Sequence, residues 1–368
     1  LPFTTIEPNV GIAYVKNECA CKHFGVNHDN QMCVNGIRYI PIKLIDVAGL
    51  VPGAHEGKGL GNKFLDDARQ AEVLIHVIDA SGSTDIQGQP IPVGTHNPLE
   101  DVKFVEDEFD QWMKQILERE WQKLSRELES KSGKIIHAIY QRFSGLGIDE
   151  YDVEIVLHNL NLHTKKPQDW NDSDLLSFVQ NLRKRTKPIV VAANKADICH
   201  DLNIINEIKK IHPAVPCSAE TELLLRKAAK NGIIEYLPGE KTFKVKTEIT
   251  LNPAQQKALE LAEKITSKLG GTGVQQTLDF ACFDLLKLIT VYPVEDETKL
   301  SNKNGEVLPD VKLLRTGSTA RDLAQSIHAD LAKGFLFAID AKTKQRVGAE
   351  HQLKNGDVIK IVSSLSRG

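Results

Sequence analysis

The sequence predicts an α/β fold: a mostly parallel sheet, interrupted by an inserted helical or coiled-coil domain and followed by a small α+β domain. Three observations carry this. Short apolar runs of strand length end at Asp46, Asp79 and Asn194 and pass into turns, loops or glycine-rich chain. From about Leu99 the apolar residues fall three and four apart, the spacing of a helix with one apolar stripe. From about Ile289 the chain becomes strand-rich around one helical segment.

Taken in order, the elements are these. Leu1 to Pro8 is irregular, and Val10 to Val15 reads as a short strand. Ile40 to Ile45 reads as a buried strand leading into Asp46, pairing antiparallel with the first through the intervening loop. Asn62 to Gln70 has helical spacing, Val73 to Asp79 is a second buried strand, and the Gly- and Pro-rich stretch Ser81 to Pro98 is loop. The stripe beginning at Val102, Val105, Phe109, Trp112 and Ile116 shifts by one residue to Leu117, Trp121, Leu124 and Leu128. Gly133 breaks it, and Ile135 to Phe143 continues on a second helix, which predicts an antiparallel hairpin. The stripe suits either the core of a helical insert or a coiled coil facing a partner. Further helices are predicted over Asp149 to Leu160 and Asp172 to about Arg185, the latter capped by Asp172 or Ser173. Strands return at Pro188 to Ala193 and Ala214 to Cys217, and two helical patterns fill Asn252 to Leu288. This divides the chain into 1–98, an insert at 99–185, a continuation of the first domain at 186–288, and a terminal domain at 289–368.

A chain of 368 residues has room for two or three domains, and 41% hydrophobic with 26% charged residues is ordinary globular composition. No apolar run approaches the ~18 residues a spanning helix needs, so no membrane partner is expected. A net charge of −3 argues against a chain that coats nucleic acid over its whole surface. Locally the balance differs: residues 311–368 hold ten Lys/Arg against five Asp/Glu, which suits a face toward RNA or a soluble surface with scattered lysines. Six cysteines make no disulfide framework, and Cys199, Cys217 and Cys282 read as isolated buried thiols. Cys19, Cys21 and Cys33, with His23 and His28 between them, form a loose cluster. Zinc and a plain loop are both open there; the spacing fits no common finger, which favours the loop. The whole suits a monomer of the cytoplasm.

The chemistry lies in an ordered set of short motifs. Asp46-Val47-Ala48-Gly49 places a carboxylate that can hold Mg²⁺, and a glycine whose backbone N–H can meet a phosphate, after a strand. Gly53, Gly57, Gly59 and Gly61 follow in a segment able to change shape. Asn194-Lys195-Ala196-Asp197 follows another strand. A carboxylate at Asp197 can accept from the N1–H and exocyclic amine of guanine, a donor pair adenine lacks. Asn194 can tie neighbouring loops together, and the Lys195 stem can lie across the base. Ser218-Ala219-Glu220 supplies a tight turn whose Ala219 N–H can reach guanine O6.

This set resembles the Obg-related GTPases, and within them the YchF-type proteins. Pro2-Phe3-Thr4-Thr5-Ile6 resembles the family's first switch, and Asp46 to Leu65 its second, almost residue for residue. The insert also matches, and the terminal domain resembles a TGS domain, a small module linked to RNA and ribosome binding. The resemblance implies a P-loop GTPase fold that binds GTP and GDP with Mg²⁺. Phe3, Thr4, Thr5, Asp46, Gly49, Asn194, Lys195, Asp197, Ser218, Ala219 and Glu220 would form the nucleotide site, with Thr5 and Asp46 at the metal. Many YchF-type proteins have lost the base-reading aspartate and prefer ATP; Asp197 is kept here, which implies guanine. No G-x-x-x-x-G-K-[ST] run occurs in these residues, and the resemblance places one roughly 30 residues long, with its strand and helix, before Leu1. Thr5 and Gly49 would act on the γ-phosphate. Leu50 stands where many GTPases carry a water-orienting glutamine, so unaided hydrolysis should be slow, with His55 a candidate for that role. The expected function is a slow GTPase switch at the ribosome. The alternatives are an RNA- or ribosome-binding scaffold without catalysis, and an ATPase as in some relatives.

Overall fold

A computed structural model of the protein describes residues 9–47, 70–119, 121–130 and 135–365. In chain order the strands are β1 (Asn9–Glu18), β2 (Cys33–Val34), β3 (Ile37–Asp46), β4 (Leu74–Asp79), β5 (Ile189–Asn194), β6 (Ala214–Pro216), β7 (Ile234–Glu235), β8 (Lys244–Val245), β9 (Leu288–Val294), β10 (Lys312–Arg315), β11 (Phe335–Asp340), β12 (Arg346–Val347) and β13 (Asp357–Ser363). The chain separates into two compact units: the described residues of Leu1–Gly11 with Ile45–Thr277, and Ile12–Leu44 with Leu278–Gly368. The sequence division puts residues 12–44 in the first domain; in the structure they cluster with the second unit.

The first unit holds the parallel sheet β4-β5-β6. β5 reads Ile-Val-Val-Ala-Ala because both its faces are covered, the expectation for a central parallel strand. Ile78, Val191, Ala193, Ile205 and Ile208 form its core. The helical insert has its own core, in which Phe109, Met113 and Leu117 meet Ile139, Phe143, Phe178 and Leu182. The apolar stripe is therefore buried inside the insert. Its one-residue shift marks a real break: one helix ends at Glu118 and the next runs Trp121–Ser130, with Arg119 extended at ψ 113°. The predicted hairpin of two helices is thus three, the third being Ile135–Phe143. The helix Asp172–Thr186 is capped by Asn171, not by Asp172 or Ser173: Asn171 and Asp174 exchange side-chain bonds to each other's backbone N–H.

Across the base of the insert runs a buried charge cluster. Arg183, 1% exposed, donates from Nε to Asp110 Oδ1 at 2.5 Å and from Nη2 to Glu106. The His212 ring lies 2.9 Å from the other Glu106 oxygen. Burial works against the Glu106 carboxylate, but His212 and Arg183 hold it down at about 2.

In the second unit, five strands run in the order β10-β9-β13-β11-β12. β9 and β13 are parallel and the other pairs antiparallel. The helix Ala320–Ile327 starts at a Thr319–Asp322 capping box and packs Leu323 against Ile289, Val291 and Ile359. The one helical segment expected in this domain is two helices, because His328 is extended at φ −162° between Ala320–Ile327 and Ala329–Lys333. The same unit carries residues 12–44 of the sheet β1-β3-β2. Val15 and Ile40 pack there against Cys282, in a π-helical turn, Phe280–Leu285, that extends the helix Val274–Asp279. Among the described residues no helix is long and apolar enough to cross a membrane.

Candidate functional site

Parallel pairing fixes the site before any side chain is considered. Asp79 of β4 is the register partner of Asn194 of β5, and Ala193 is the partner of Pro216 of β6. Three strands thus end side by side, and ligands of open α/β sheets bind at such carboxyl ends.

The loops leaving these ends are tied together. Asn194 Oδ1 accepts from the Ala219 N–H at 3.0 Å. The Cys217 N–H donates to Ala193 O at 2.8 Å, and the Ala196 N–H to Cys217 O at 3.0 Å. Asn194 therefore does the loop-tying expected of it. The Ala219 amide, expected free for a guanine oxygen, is already engaged by Asn194. Ser218 is buried and turns its hydroxyl to Thr221 at 2.8 Å, while Glu220 is exposed on the first turn of the helix Ala219–Lys230.

Lys195 adopts φ +58°, a left-handed conformation that L-residues other than Asn, Asp and Gly seldom take. Its ammonium donates to Asp79 Oδ2 at 2.7 Å and to Ser83 Oγ at 3.0 Å. The sequence lays the Lys195 stem across a base; the structure anchors its ammonium on Asp79 and Ser83. Asp79 also accepts from the Ser81 N–H and hydroxyl, Ser83 and Thr84. Burial alone would raise its carboxyl, but Lys195 and these hydroxyls hold it well below the usual carboxylate range. Asp79 and its hydroxyls were missed as site residues. The available signal was an aspartate closing an apolar strand, half-buried in the structure with Val77 exposed and not buried as expected, with Ser81, Ser83 and Thr84 just beyond it.

Asp197 differs from its neighbours. It lies half-buried in the turn 195–198, and among the described residues its carboxylate makes no hydrogen bond or ion pair. Behind the β6 loop, Gly273 sits at φ +80° so close that a Cβ would fall 2.0 Å from Pro216 O. Only glycine permits that approach. The buried Glu222 accepts from Tyr236 at 2.6 Å and Thr272 at 2.5 Å, fixing the start of the helix from below.

Asp46 ends β3 as expected, but β3 belongs to the sheet β1-β3-β2 and not to β4-β5-β6, and the carboxyl half of that strand is largely exposed instead of buried. Phe3, Thr4, Thr5, Gly49 and His55, with residues 62–69 of the helix predicted over 62–70, lie outside the described residues. Of the ten cations in 311–368, Lys360 pairs with Glu297, Lys344 caps Glu297 O and Arg346 stacks on Phe337 at 4.4 Å, so part of the basic excess is spent within the domain.

Residues 1–121 match the family described as 50S ribosome-binding GTPase. Residues 192–296 match an Obg-like GTPase YGR210-like, G4 motif-containing domain, and residues 304–363 a TGS domain. A GTP-binding protein of Methanocaldococcus jannaschii is 48% identical over 368 residues, covering 99% of this chain and 92% of its own. The crystal structure of a GTP binding protein from Pyrococcus horikoshii is similar at TM-score 0.78 and 41% identity, covering 96% of this chain and 93% of the other. A protein of Buchnera aphidicola named ribosome-binding ATPase YchF is 26% identical, covering 97% of this chain and 90% of its own. With these likenesses added to the tied loops at the ends of β4–β6, the chain belongs to the YchF-type branch of the Obg-like P-loop GTPases.

Proposed function

We propose that the protein is a guanine-nucleotide switch that hydrolyses GTP slowly and acts at the ribosome in the cytoplasm. The observation that carries the base specificity is Asp197. Asn194 is committed to Ala219 and Lys195 to Asp79, which leaves one carboxylate beside the ends of three parallel strands. A carboxylate there matches the two donors of guanine and repels the N1 lone pair of adenine. Thr5 and Asp46 would hold Mg²⁺, and Gly49 would meet the γ-phosphate, where the metal neutralises developing charge. Leu50 cannot orient the attacking water, which keeps hydrolysis slow; His55 and Glu56 follow it in sequence as candidates to substitute. On this reading residues 1–98 and 186–288 serve the nucleotide, 99–185 form the helical insert, and 289–368 dock on ribosomal RNA. The basic excess of 311–368 and the TGS match support that last assignment.

The test is Asp197→Asn in direct nucleotide titrations. A carboxamide offers a donor where guanine needs an acceptor, but it suits xanthine, which carries a carbonyl at that position. GTP affinity should fall about 100-fold, the loss of two charge-assisted hydrogen bonds discounted for half-burial, and xanthosine triphosphate affinity should rise. The relative named an ATPase supports a second reading, in which ATP binds as well as GTP and the substitution changes neither. Unaltered GTP affinity in Asp197→Asn would remove the guanine account. Failure of any nucleotide to bind the protein would leave the scaffold reading in its place.

A further inference from the structure

We infer that Cys19, Cys21, His28 and Cys33 form a structural zinc site in the second unit. One nitrogen or sulfur from each of the four lies within 4.8 Å of the others. The order Cys-x-Cys-x6-His-x4-Cys matches no common finger, which is why spacing alone did not reveal it.

Three features bring these residues together. Cys19 precedes the short helix Ala20–Phe24 and donates its N–H to Gly36 O at 2.9 Å. Gly25, at φ +62°, ends that helix and turns the chain toward His28. Asn35 and Gly36, at φ +53° and +74°, make a two-residue hairpin turn with both central residues left-handed, which holds β2 against β3 and fixes Cys33 opposite Arg38. Asn30 and Arg38 then fasten the loop to the carbonyl of Pro309 at 3.0 and 2.7 Å.

Two of the spacings are those of tetrahedral zinc, and all six lie within 4.8 Å. Zn–S bonds of about 2.3 Å and Zn–N bonds of about 2.0–2.1 Å at the tetrahedral angle put sulfurs about 3.8 Å apart and sulfur about 3.5 Å from nitrogen. The observed distances are 3.9 Å from Cys21 Sγ to Cys33 Sγ and 3.6 Å from Cys19 Sγ to His28 Nε2. A disulfide would need about 2.05 Å.

An independent observation points to the same ligand. Arg38 is 2% exposed, and its Nε and Nη1 have no hydrogen-bond partner. Among the described residues it pairs with no carboxylate. A buried guanidinium without an anion is costly. Three neutral thiols give it no counter-charge. Three thiolates, a neutral imidazole and Zn²⁺ carry a net charge of −1 (from −3 and +2), and that anion faces Arg38 across the β2–β3 pair. His28 would ligate through Nε2, the ring nitrogen beside Cys19 Sγ. With four protein ligands the site is closed, so the metal is structural: it crosslinks the segment 19–33, whose Cys19 and Cys21 pack in one core with Tyr292, Leu300 and Leu308.

The experiment is elemental analysis of the full chain, purified under reducing conditions from zinc-supplemented medium. About one zinc per chain is expected, and cobalt exchanged into the site should show the intense visible bands of tetrahedral thiolate ligation. Cys33→Ser should lose the metal, whereas Cys199→Ser, outside the cluster, should retain it. Should Cys33→Ser fail to fold, Arg38→Met keeps all four ligands and should weaken zinc against a chelator by about 10-fold or more. Reduced protein that contains no zinc and takes up neither zinc nor cobalt overturns the proposal. So does iron in place of zinc, a Cys21–Cys33 disulfide in the mapped protein, or equal zinc loss in Cys199→Ser.

Discussion

The approach of Gly273 to the β6 loop gives a prediction whose size can be worked out by difference. Gly270 and Gly273 have nearly the same backbone, φ +74° and φ +80°. A Cβ at Gly270 meets nothing within 4 Å, whereas one at Gly273 falls 2.0 Å from Pro216 O and 2.9 Å from Cys217 Cα. Gly270→Ala therefore isolates the cost of a left-handed alanine, about 1 kcal/mol. Gly273→Ala carries that cost plus a clash with backbone, which must retreat by about 1 Å; overpacking of this kind adds about 1–3 kcal/mol. The retreat moves the segment that delivers the Ala219 N–H to Asn194, so GTP affinity should fall about tenfold, one hydrogen bond's worth. Gly270→Ala should leave it unchanged. Urea denaturation and nucleotide titration of both variants make the comparison. Equal destabilisation of the two, within about 0.5 kcal/mol, would refute the claim that close approach to Pro216 dictates glycine at 273.

The charge cluster supplies two further tests. Arg183→Met strands the carboxylates of Glu106 and Asp110 and should cost about 3–5 kcal/mol in urea denaturation, with part recovered when Asp110→Leu is added; a loss below about 1 kcal/mol would mean the cluster is well hydrated. Stability should also fall in two acid steps. Burial and the neighbouring His212 push His76 down to about 4, so the unfolded chain takes up its proton first and stability drops as pH falls from about 6.5 toward 4. Glu106, held at about 2, contributes stability that is complete above about pH 4.5 and lost as pH falls toward 2. His76→Phe should abolish the upper step, worth at most about 3 kcal/mol, and spare the lower; an unchanged profile would contradict the assignment.

The parallel strands, the Asn194–Asp197 turn and the terminal sheet were legible because each is written in contiguous residues. β5 is apolar throughout, and the Asn194–Asp197 turn follows it directly. The helix break after Glu118 was visible as the slip from Ile116 to Leu117, although a slip in an apolar stripe does not reveal that the chain turns. Other features depend on partners remote in sequence. Lys195 finds Asp79 across 116 residues, and Gly273 finds Pro216, through strand register that no local pattern states. The exposed carboxyl half of β3 was misread because an apolar run shows what a strand could bury, not which sheet it joins. The side chains of Cys19, Cys21, His28 and Cys33 need the Asn35-Gly36 turn to converge, and their irregular spacing favoured a plain loop over a metal site.

The second unit is discontinuous in sequence, joining residues 12–44 to a segment that starts at Leu278. During synthesis its early strands leave the ribosome long before their partners exist. At about 5–20 residues per second the delay is on the order of tens of seconds. Over that interval the nascent β1–β3 hairpin must remain soluble with Val15 and Ile40 still lacking Cys282 to cover them. A local crosslink that folds 19–33 by itself would turn this wait from an aggregation hazard into a preformed docking piece. The last residues made would then find a ready template, not an unfolded strand.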